Sequence, residues 1–365
     1  MEQQEGKTVV TIRDVAQRAG VAVSTASRAL SGGSASEATR RKVQEAAEAL
    51  HFVPNPAARR LTGGHSNVVA LVVDEPTDFL FRDDFLAGIL GQLSMSLARE
   101  NLLPFLILAE PDNAKGFEQL LHRSGAEGVV VASFHEGRKF ADMLKRFDKP
   151  TVFIGSPPKG FKCPYVDVDN YDGGYQAGKL LVERGCRHIA LIEGPRDMPT
   201  PKERTAGFRA ALKEQGLEPI ASYAGSYEMD NGLKSMERII AEYPQVDGVF
   251  AHSDKIAAGA LHVLDRFDKQ VPQDVAVVGF DDLQAARLLN PQLTTLAQPL
   301  DDMAEAATRM LAHRLENGTW RVSFQRFPVR LVRRESARRK CFSYRRTCRL
   351  HVAGTVLRLL HFLQG

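Results

Sequence analysis

The sequence predicts an α/β protein led by a small all-helical head, and three observations carry that prediction. Two short helical patterns flank Ala19-Gly20-Val21 near the start of the chain. From Asn67 onward, apolar runs of Val, Ile and Leu alternate with helical patterns, and charge is partitioned between these two regions. The first pattern has helix-turn-helix spacing; the second suits doubly wound sheets whose strands are buried on both faces. At 365 residues and 44% apolar content, the chain has material for two or three domains and an ample core.

The head is justified element by element. In TIRDVAQRAG, Ile12, Val15 and Ala16 share one helical face, Thr11 stands at the capping position and Asp14 lies in the first turn near the positive helix end. Gly20 supplies a left-handed turn residue. In the second helix Val21, Ala26 and Leu30 are expected to point inward. Val23, Ser24, Ser27 and Arg28 are left outside, short enough to approach base edges or basic enough to reach guanine or phosphate. Taken alone, the segment also fits an ordinary helical hairpin. Ser34 and Ser36 then precede EATRRKVQEAAEALHF, whose Val43, Ala46, Ala47 and Leu50 repeat at helical spacing until Pro54. In NPAARRLTGG, a helix of one or two turns would carry Arg59, Arg60 and Leu61 and end at Gly63-Gly64. A Leu beside two Arg suits a minor groove, where an apolar wedge unstacks a step and cations hold the flanking phosphates. A plain linker is equally open on these residues alone.

Residues 1–65 carry nine Lys/Arg against six Asp/Glu, residues 66–337 carry 32 against 38, and residues 338–365 carry seven against none. A basic head on an acidic body fits a head that meets phosphate and a body that does not. The tail, and not the body, raises the overall pI to 8.8.

In the body the alternation reads NVVALVV, LPFLIL, GVVVAS, TVFIGS, RHIALIEG, DGVFAH and DVAVVGF, with helical patterns in most of the intervals. About 270 residues of it predict two doubly wound lobes. Ligands in such sheets sit beyond the carboxyl ends of strands, so the polar residues just after each run are the candidates: Asp74, Asp78, Glu110, Ser133, Arg204, Ser253, Asp254 and Asp281, with Phe79 or Phe81 as a stacking wall. An Arg among carboxylates and aromatic rings suits a polyhydroxylated or weakly charged small ligand. Arg204 also reads as a salt bridge at a helix start, and Asp281-Asp282 as a helix cap.

An enzyme is the rival class, but no GxGxxG follows a strand, and GxxxxGK[ST], GxSxG and HExxH are missing from the sequence. No catalytic residue, metal ligand or cofactor is therefore expected. Asp83-Asp84 and Asp301-Asp302 read as solvated faces. The four Cys, at 163, 186, 341 and 348, form no CxxC and read as buried thiols. With no basic region followed by an apolar run in MEQQEGKTVV and no membrane-spanning segment, a cytoplasmic location is expected, which also disfavours a secreted binding protein.

TIRDVAQRAGV, STASRAL, HFVPNPAARRL, ERTAGFRAAL and VVGFDD recur in order, and over about Thr8 to Ser336 the chain resembles the LacI/GalR family of bacterial transcription regulators. The resemblance implies a head at 8–54, a hinge helix and linker at 55–65, and two lobes of periplasmic-binding-protein type. The N-lobe would take 66–167 and 297–324, and the C-lobe 168–296 and 325–337. It puts Val23, Ser24 and Arg28 at base-reading positions with Thr25 and Ser27 beside them, and Asn55, Ala58, Arg60 and Leu61 on the hinge, Leu61 as the intercalating wedge. Thr11 and Arg59 complete the DNA-contacting set. It also puts effector-binding roles on Arg204, Asp281 and Ser253; the first-lobe candidates Asp78, Phe79 and Ser133 match the family only loosely. Ala22 departs from the family, which has a capping Ser there. The implied function is a homodimeric repressor on a pseudo-palindromic operator in double-stranded DNA, relieved by a sugar-like effector. The tail, 338–365, is atypical. Its Val356, Leu359, Leu360 and Leu363 form an apolar stripe of the kind that joins some family members into tetramers, but Gly354 and its short length argue against a strong coiled coil.

Overall fold

The computed structural model describes residues 10–30, 33–52, 66–109, 114–136, 143–144, 147–158 and 160–338. The hinge candidates Asn55, Ala58, Arg59, Arg60 and Leu61, together with Glu110 and the tail beyond 338, lie outside them. The chain divides into a head, Met1–Asn67, and a body, Val68–Gly365.

Three helices make the head: α1 (Ile12–Ala19), α2 (Val23–Leu30) and α3 (Glu37–Ala49). Thr11 and Asp14 close a capping box at α1: the Thr11 N–H donates to the Asp14 carboxylate at 2.7 Å and its hydroxyl at 2.8 Å. Gly20, at φ 66°, then turns the chain. A small core of Val15, Ala16, Ala26, Ala29, Val43, Ala46 and Ala47 holds the three together. Ala26 is fully buried as expected, whereas Val21 and Leu30 are half-buried at the rim and Ala29 takes the second inward position. Ser36 caps α3, its hydroxyl accepting the Thr39 N–H at 3.3 Å.

The body holds two six-stranded sheets. The first contains β1 (Val68–Val73), β2 (Leu103–Leu108), β3 (Gly128–Ser133), β4 (Thr151–Ile154), β5 (Tyr165–Val168) and β11 (Phe324–Phe327), in the order β11-β5-β4-β3-β1-β2 and parallel throughout. The second contains β6 (Ile189–Glu193), β7 (Ala221–Ala224), β8 (Gly248–Ala251), β9 (Ala276–Asp281), β10 (Thr294–Ala297) and β12 (Arg330–Val332), ordered β12-β10-β9-β8-β6-β7 with β12 alone antiparallel. Helices α4 (Thr77–Leu80), α5 (Asp84–Arg99) and α6 (Ala114–Ser124) belong to the first lobe. The second carries α7 (Asn170–Arg184), α8 (Pro199–Lys213), α9 (Met229–Glu242), α10 (Asp254–Arg266) and α11 (Gln284–Leu288). Finally α12 (Leu300–Asn317) returns to pack on α5 and the first sheet.

The chain passes between lobes three times: after Val168, after Ala297 and after Phe327. The last crossing lies about three residues beyond the expected one at Gln325, because Phe324–Phe327 pairs in parallel with Tyr165–Val168 and the Phe324 ring stacks on Tyr165. Packing between α7 and α8 is tight enough to fix what α8 carries. A Cβ on Gly174 would stand 2.0 Å from the carbonyl oxygen of Arg204. Only glycine allows that approach.

Cys186 is buried and Cys163 half-buried, both as free thiols. Among the described residues no helix is long and apolar enough to cross a membrane, and no group of His, Cys, Asp and Glu could hold a metal ion.

Candidate functional site

On the head, α2 turns Val23, Ser24 and Arg28 outward, with Thr25 and Ser27 half-buried beside them. Its side-chain donors are the short hydroxyls of Ser24, Thr25 and Ser27 and the one long cation Arg28, whose Nε bonds the Ser24 carbonyl one turn earlier at 3.2 Å. Ala22 occupies the N-cap of α2. Its carbonyl accepts from the Thr25 and Ala26 N–H groups, each at 2.9 Å, but its side chain offers no acceptor. Thr11 is exposed and committed to the capping box.

In the body a cavity between the lobes encloses about 900 Å³, solvent at its mouth included. From the first lobe Phe79, Ser133 and Phe134 line it; from the second, Arg204, Ser253 and Asp281. Five of the seven expected effector-site residues therefore meet in one place.

Arg204 projects from α8 and is almost wholly buried. Its Nε donates to Asn170 Oδ1 at 2.9 Å, Nη1 donates to the His252 carbonyl, and Cζ stands 3.5 Å from the centroid of the Phe280 ring. Among the described residues it makes no salt bridge. Asp281 ends β9 with φ at 118°, and Asp282 follows at 61°. Two consecutive non-glycine residues in this region mark stored strain, which aims the Asp281 carboxylate at the cavity. Gln298 donates to its Oδ1 at 2.7 Å, and the N-cap of α11 is Leu283, so Asp281 caps no helix. Burial pushes its proton affinity well above the ordinary carboxylate range, and Arg204 nearby opposes the rise. Ser253 caps α10, accepting the Ile256 N–H at 3.2 Å.

Two expected residues do not reach the cavity. Asp78 faces solvent and pairs with Arg82 one turn along. Asp254 is fully buried, where Oδ1 accepts from Thr295 Oγ1 at 2.5 Å and Oδ2 from the Leu283 N–H at 2.9 Å. It ties α10 to β10 and the loop after β9. Lys255, the next residue, turns to the cavity instead. Successive helix positions point about 100° apart, which is why the neighbour takes the place. Phe81, the alternative stacking wall, is 74% exposed, and Asp74 is buried against the His135 N–H at 3.2 Å.

Sequence reasoning missed Glu75, Asp83, Asp167, Tyr227, Lys255 and Gln298, all on the cavity wall. Asp83 is no solvated face: it is 7% exposed and caps α5 through the Leu86 N–H at 2.9 Å. Burial raises its pKa to about 6. Its position just before an apolar helical run was the available signal. Asp167 is saturated by Ser156, Val168 and Asn170. By contrast Tyr227 Oη is buried without a hydrogen-bond partner, and burial drives its ionisation far above the usual range. Oδ2 of Asp83 and Oδ2 of Asp281 also lack partners among the described residues. Unsatisfied polar atoms around one cavity are what a polar ligand would complete.

Residues 11–55 match the family described as bacterial regulatory proteins, lacI family, and residues 179–337 match the periplasmic binding protein-like domain. The HTH-type transcriptional regulator CelR of Thermobifida fusca is 37% identical over 332 residues, 88% of this chain and 95% of that protein. The HTH-type transcriptional repressor PurR of Klebsiella pneumoniae strain 342 is 30% identical over 336 residues, 90% of this chain and 97% of that one. Among solved structures, a CelR–cellobiose complex aligns with a TM-score of 0.71 at 34% identity, covering 90% of this chain and 99% of that one. A lac repressor dimer bound to operator and the anti-inducer ONPF aligns at 0.78 with 23% identity over the same shares, a likeness of fold.

Proposed function

The chain belongs to the LacI family of bacterial regulatory proteins, and from that premise we propose that it represses transcription by binding a pseudo-palindromic operator as a homodimer, its affinity set by a neutral sugar in the lobe–lobe cavity. The polar groups on the cavity wall, with Tyr227 Oη buried and unpartnered among them, carry the choice of ligand. Glu75, Asp83, Asp167 and Asp281 outnumber Arg204 and Lys255, and Lys255 is already paired with Glu228 at 3.0 Å. A phosphorylated or carboxylated ligand would push the carboxyls of Asp83, Asp167 and Asp281 still further toward their protonated forms, a cost that a neutral ligand avoids. Sugar hydroxyls instead donate to the free oxygens of Asp83 and Asp281 and meet Tyr227 Oη, while a pyranose face stacks on Phe79 or Phe134. The cellobiose bound to the CelR relative agrees with a neutral sugar.

At the DNA, Val23 and Ser24 meet base edges and thymine methyl groups, Arg28 reads guanine or holds phosphate, and Leu61, beside Arg59 and Arg60, wedges into the minor groove. With Arg28 the one long multi-donor side chain among short hydroxyls on α2, sequence preference leans on Arg28 and on DNA shape. Sugar binding would alter the spacing of the two hinges and release the operator.

The test is retention of genomic fragments by the purified protein at moderate salt, sequencing what is bound, with cellobiose and a sugar phosphate as competing additions. Enrichment of a pseudo-palindrome, lost in Arg28→Ala plus Leu61→Ala and released by cellobiose but not by the phosphate, is the expected result. No enrichment with any fragment would sink the DNA reading; release by the phosphate alone would sink the neutral-ligand reading.

A further inference from the structure

Beyond the cavity wall the two lobes are joined by a set of polar contacts centred on one histidine. His135 follows β3 in the first lobe, and its side chain is 7% exposed. Its Nε2 lies 2.9 Å from Oε1 of Glu75, which also accepts from Ser133 Oγ at 2.8 Å. Its Nδ1 lies 2.9 Å from Oδ2 of Asp197, which belongs to the second lobe, in the loop between β6 and α8. Alongside, the Glu136 N–H donates to the Asp197 carbonyl at 2.7 Å, and Lys202 of α8 pairs with the Glu136 carboxylate at 2.5 Å. Glu75 and Ser133 line the cavity; His135, Glu136 and Asp197 do not.

We propose that His135 is a positioning residue that latches the two lobes together and joins the latch to the cavity wall through Glu75 and Ser133. The chemistry of the ring supports it. An ionised carboxylate only accepts hydrogen bonds, so with a carboxylate oxygen on each ring nitrogen both nitrogens must donate, and the closed latch holds an imidazolium. Among the described residues the charged groups around it are Glu75 and Asp74 from the loop after β1, Asp197 from the β6–α8 loop, and the flanking Lys202–Glu136 pair. Opening the cleft removes Asp197 and exposes the ring, so closure takes up a proton at pH values where the free ring would be neutral. A ligand that engages Ser133 or Glu75 changes the partner of Nε2 and thereby the strength of the contact made by Nδ1. That last link rests on the effector reading above; the latch itself does not.

Hydrogen exchange of the full chain without ligand or DNA tests it, because the Glu136 amide donates across the cleft and its protection reports closure. After correction for intrinsic rates, protection in the wild type is expected to fall about tenfold between roughly pH 6 and pH 8, as the imidazolium is lost. Asp197→Asn and Glu75→Gln should each show the lower value already at the acidic end, with little pH dependence, and Asp197→Glu should restore it. Asp197 has a half-exposed side chain, so its variants are expected to fold, and unchanged protection of β3 and β6 amides checks this. Wild-type protection at Glu136 in Asp197→Asn, or a pH-independent wild type, would overturn the latch. Neither result touches the effector reading, and a protein that binds no sugar would leave the latch standing.

Discussion

Asp83 shows how one residue can trade stability for recognition. Its carboxylate sits in the cavity wall with one oxygen on the Leu86 N–H and the other making no hydrogen bond among the described residues, and burial brings its pKa to about 6 against the unfolded value near 3.8. A carboxyl raised in this way favours the fold when protonated. Its contribution is fully present below about pH 4 and is lost as pH rises through 6. Lys255 offsets part of the cost of ionisation, whereas Glu75 and Glu228 add to it. Asn caps a helix as well as Asp does and carries no charge. Asp83→Asn is therefore expected to stabilise the protein at pH 7 by roughly 1–3 kcal/mol, with the gain vanishing near pH 4. Paired thermal melts at the two pH values measure it, and a gain independent of pH would show that desolvation is not the cause. In the same variant cellobiose affinity should fall about tenfold or more, since a ligand hydroxyl loses a charged acceptor.

At the scale of elements, α2 lacks a side-chain cap at its N-terminus. Ala22 leaves the first N–H groups of α2 without a side-chain acceptor, although Ser36 and the Thr11–Asp14 box cap its two neighbours. Ala22→Ser should add about 1 kcal/mol to α2, read as slower amide exchange over Thr25 and Ala26 in the full chain and as tighter operator binding. Unchanged exchange would mean that the bonds of Thr25 and Ala26 to the Ala22 carbonyl already hold the first turn without a side-chain cap. Which elements were legible follows from the same local chemistry. The runs VVALVV, GVVVAS, TVFI and GVFA are entirely buried strands, and continuous apolar composition marks such strands directly. YVDV, ASYA, TTLA, FQRF and RLV are also strands, but they are short, mix in polar residues and owe their conformation to pairing partners distant in sequence. The site divides in the same way. Arg204, Ser253, Ser133 and Asp281 follow apolar runs and could be found by that rule. Tyr227 sits in the loop after a strand that was itself hidden, and Gln298 sits on a lobe crossing. Asp254 and Lys255 are neighbours at the start of α10 about 100° apart, and one sequence does not fix the helical phase that turns Lys255 to the cavity.

At the scale of the whole molecule, two features of the body and head converge on a pair of chains. A pseudo-palindrome presents two half-sites, and this chain has one helix-turn-helix, so two copies related by a two-fold axis are needed. The first sheet ends on β2, a six-residue edge strand that leaves Leu103, Phe105 and Leu106 60, 46 and 42% exposed, with Leu120 of α6 beside the groove they form. Proteins guard such edges with charge, proline or a covering element, and here Pro104 is the only guard within the strand. A second copy of this surface is the occupant that an isologous interface requires, so Phe105→Arg would put an unpaired cation into the apolar surface of both halves of the interface. The variant is expected to sediment as a monomer at micromolar concentration and to lose about 100-fold or more in operator affinity, because the second head no longer benefits from the binding of the first. Cellobiose binding should persist, since the cavity is built within one chain. Salt titration gives an independent readout. The basic head meets phosphate, so the slope of log affinity against log salt should fall to about half when one head binds instead of two. A variant that stays dimeric would place the partner elsewhere. A monomer that keeps both the affinity and the slope of the wild type would overturn the two-headed reading of the operator itself.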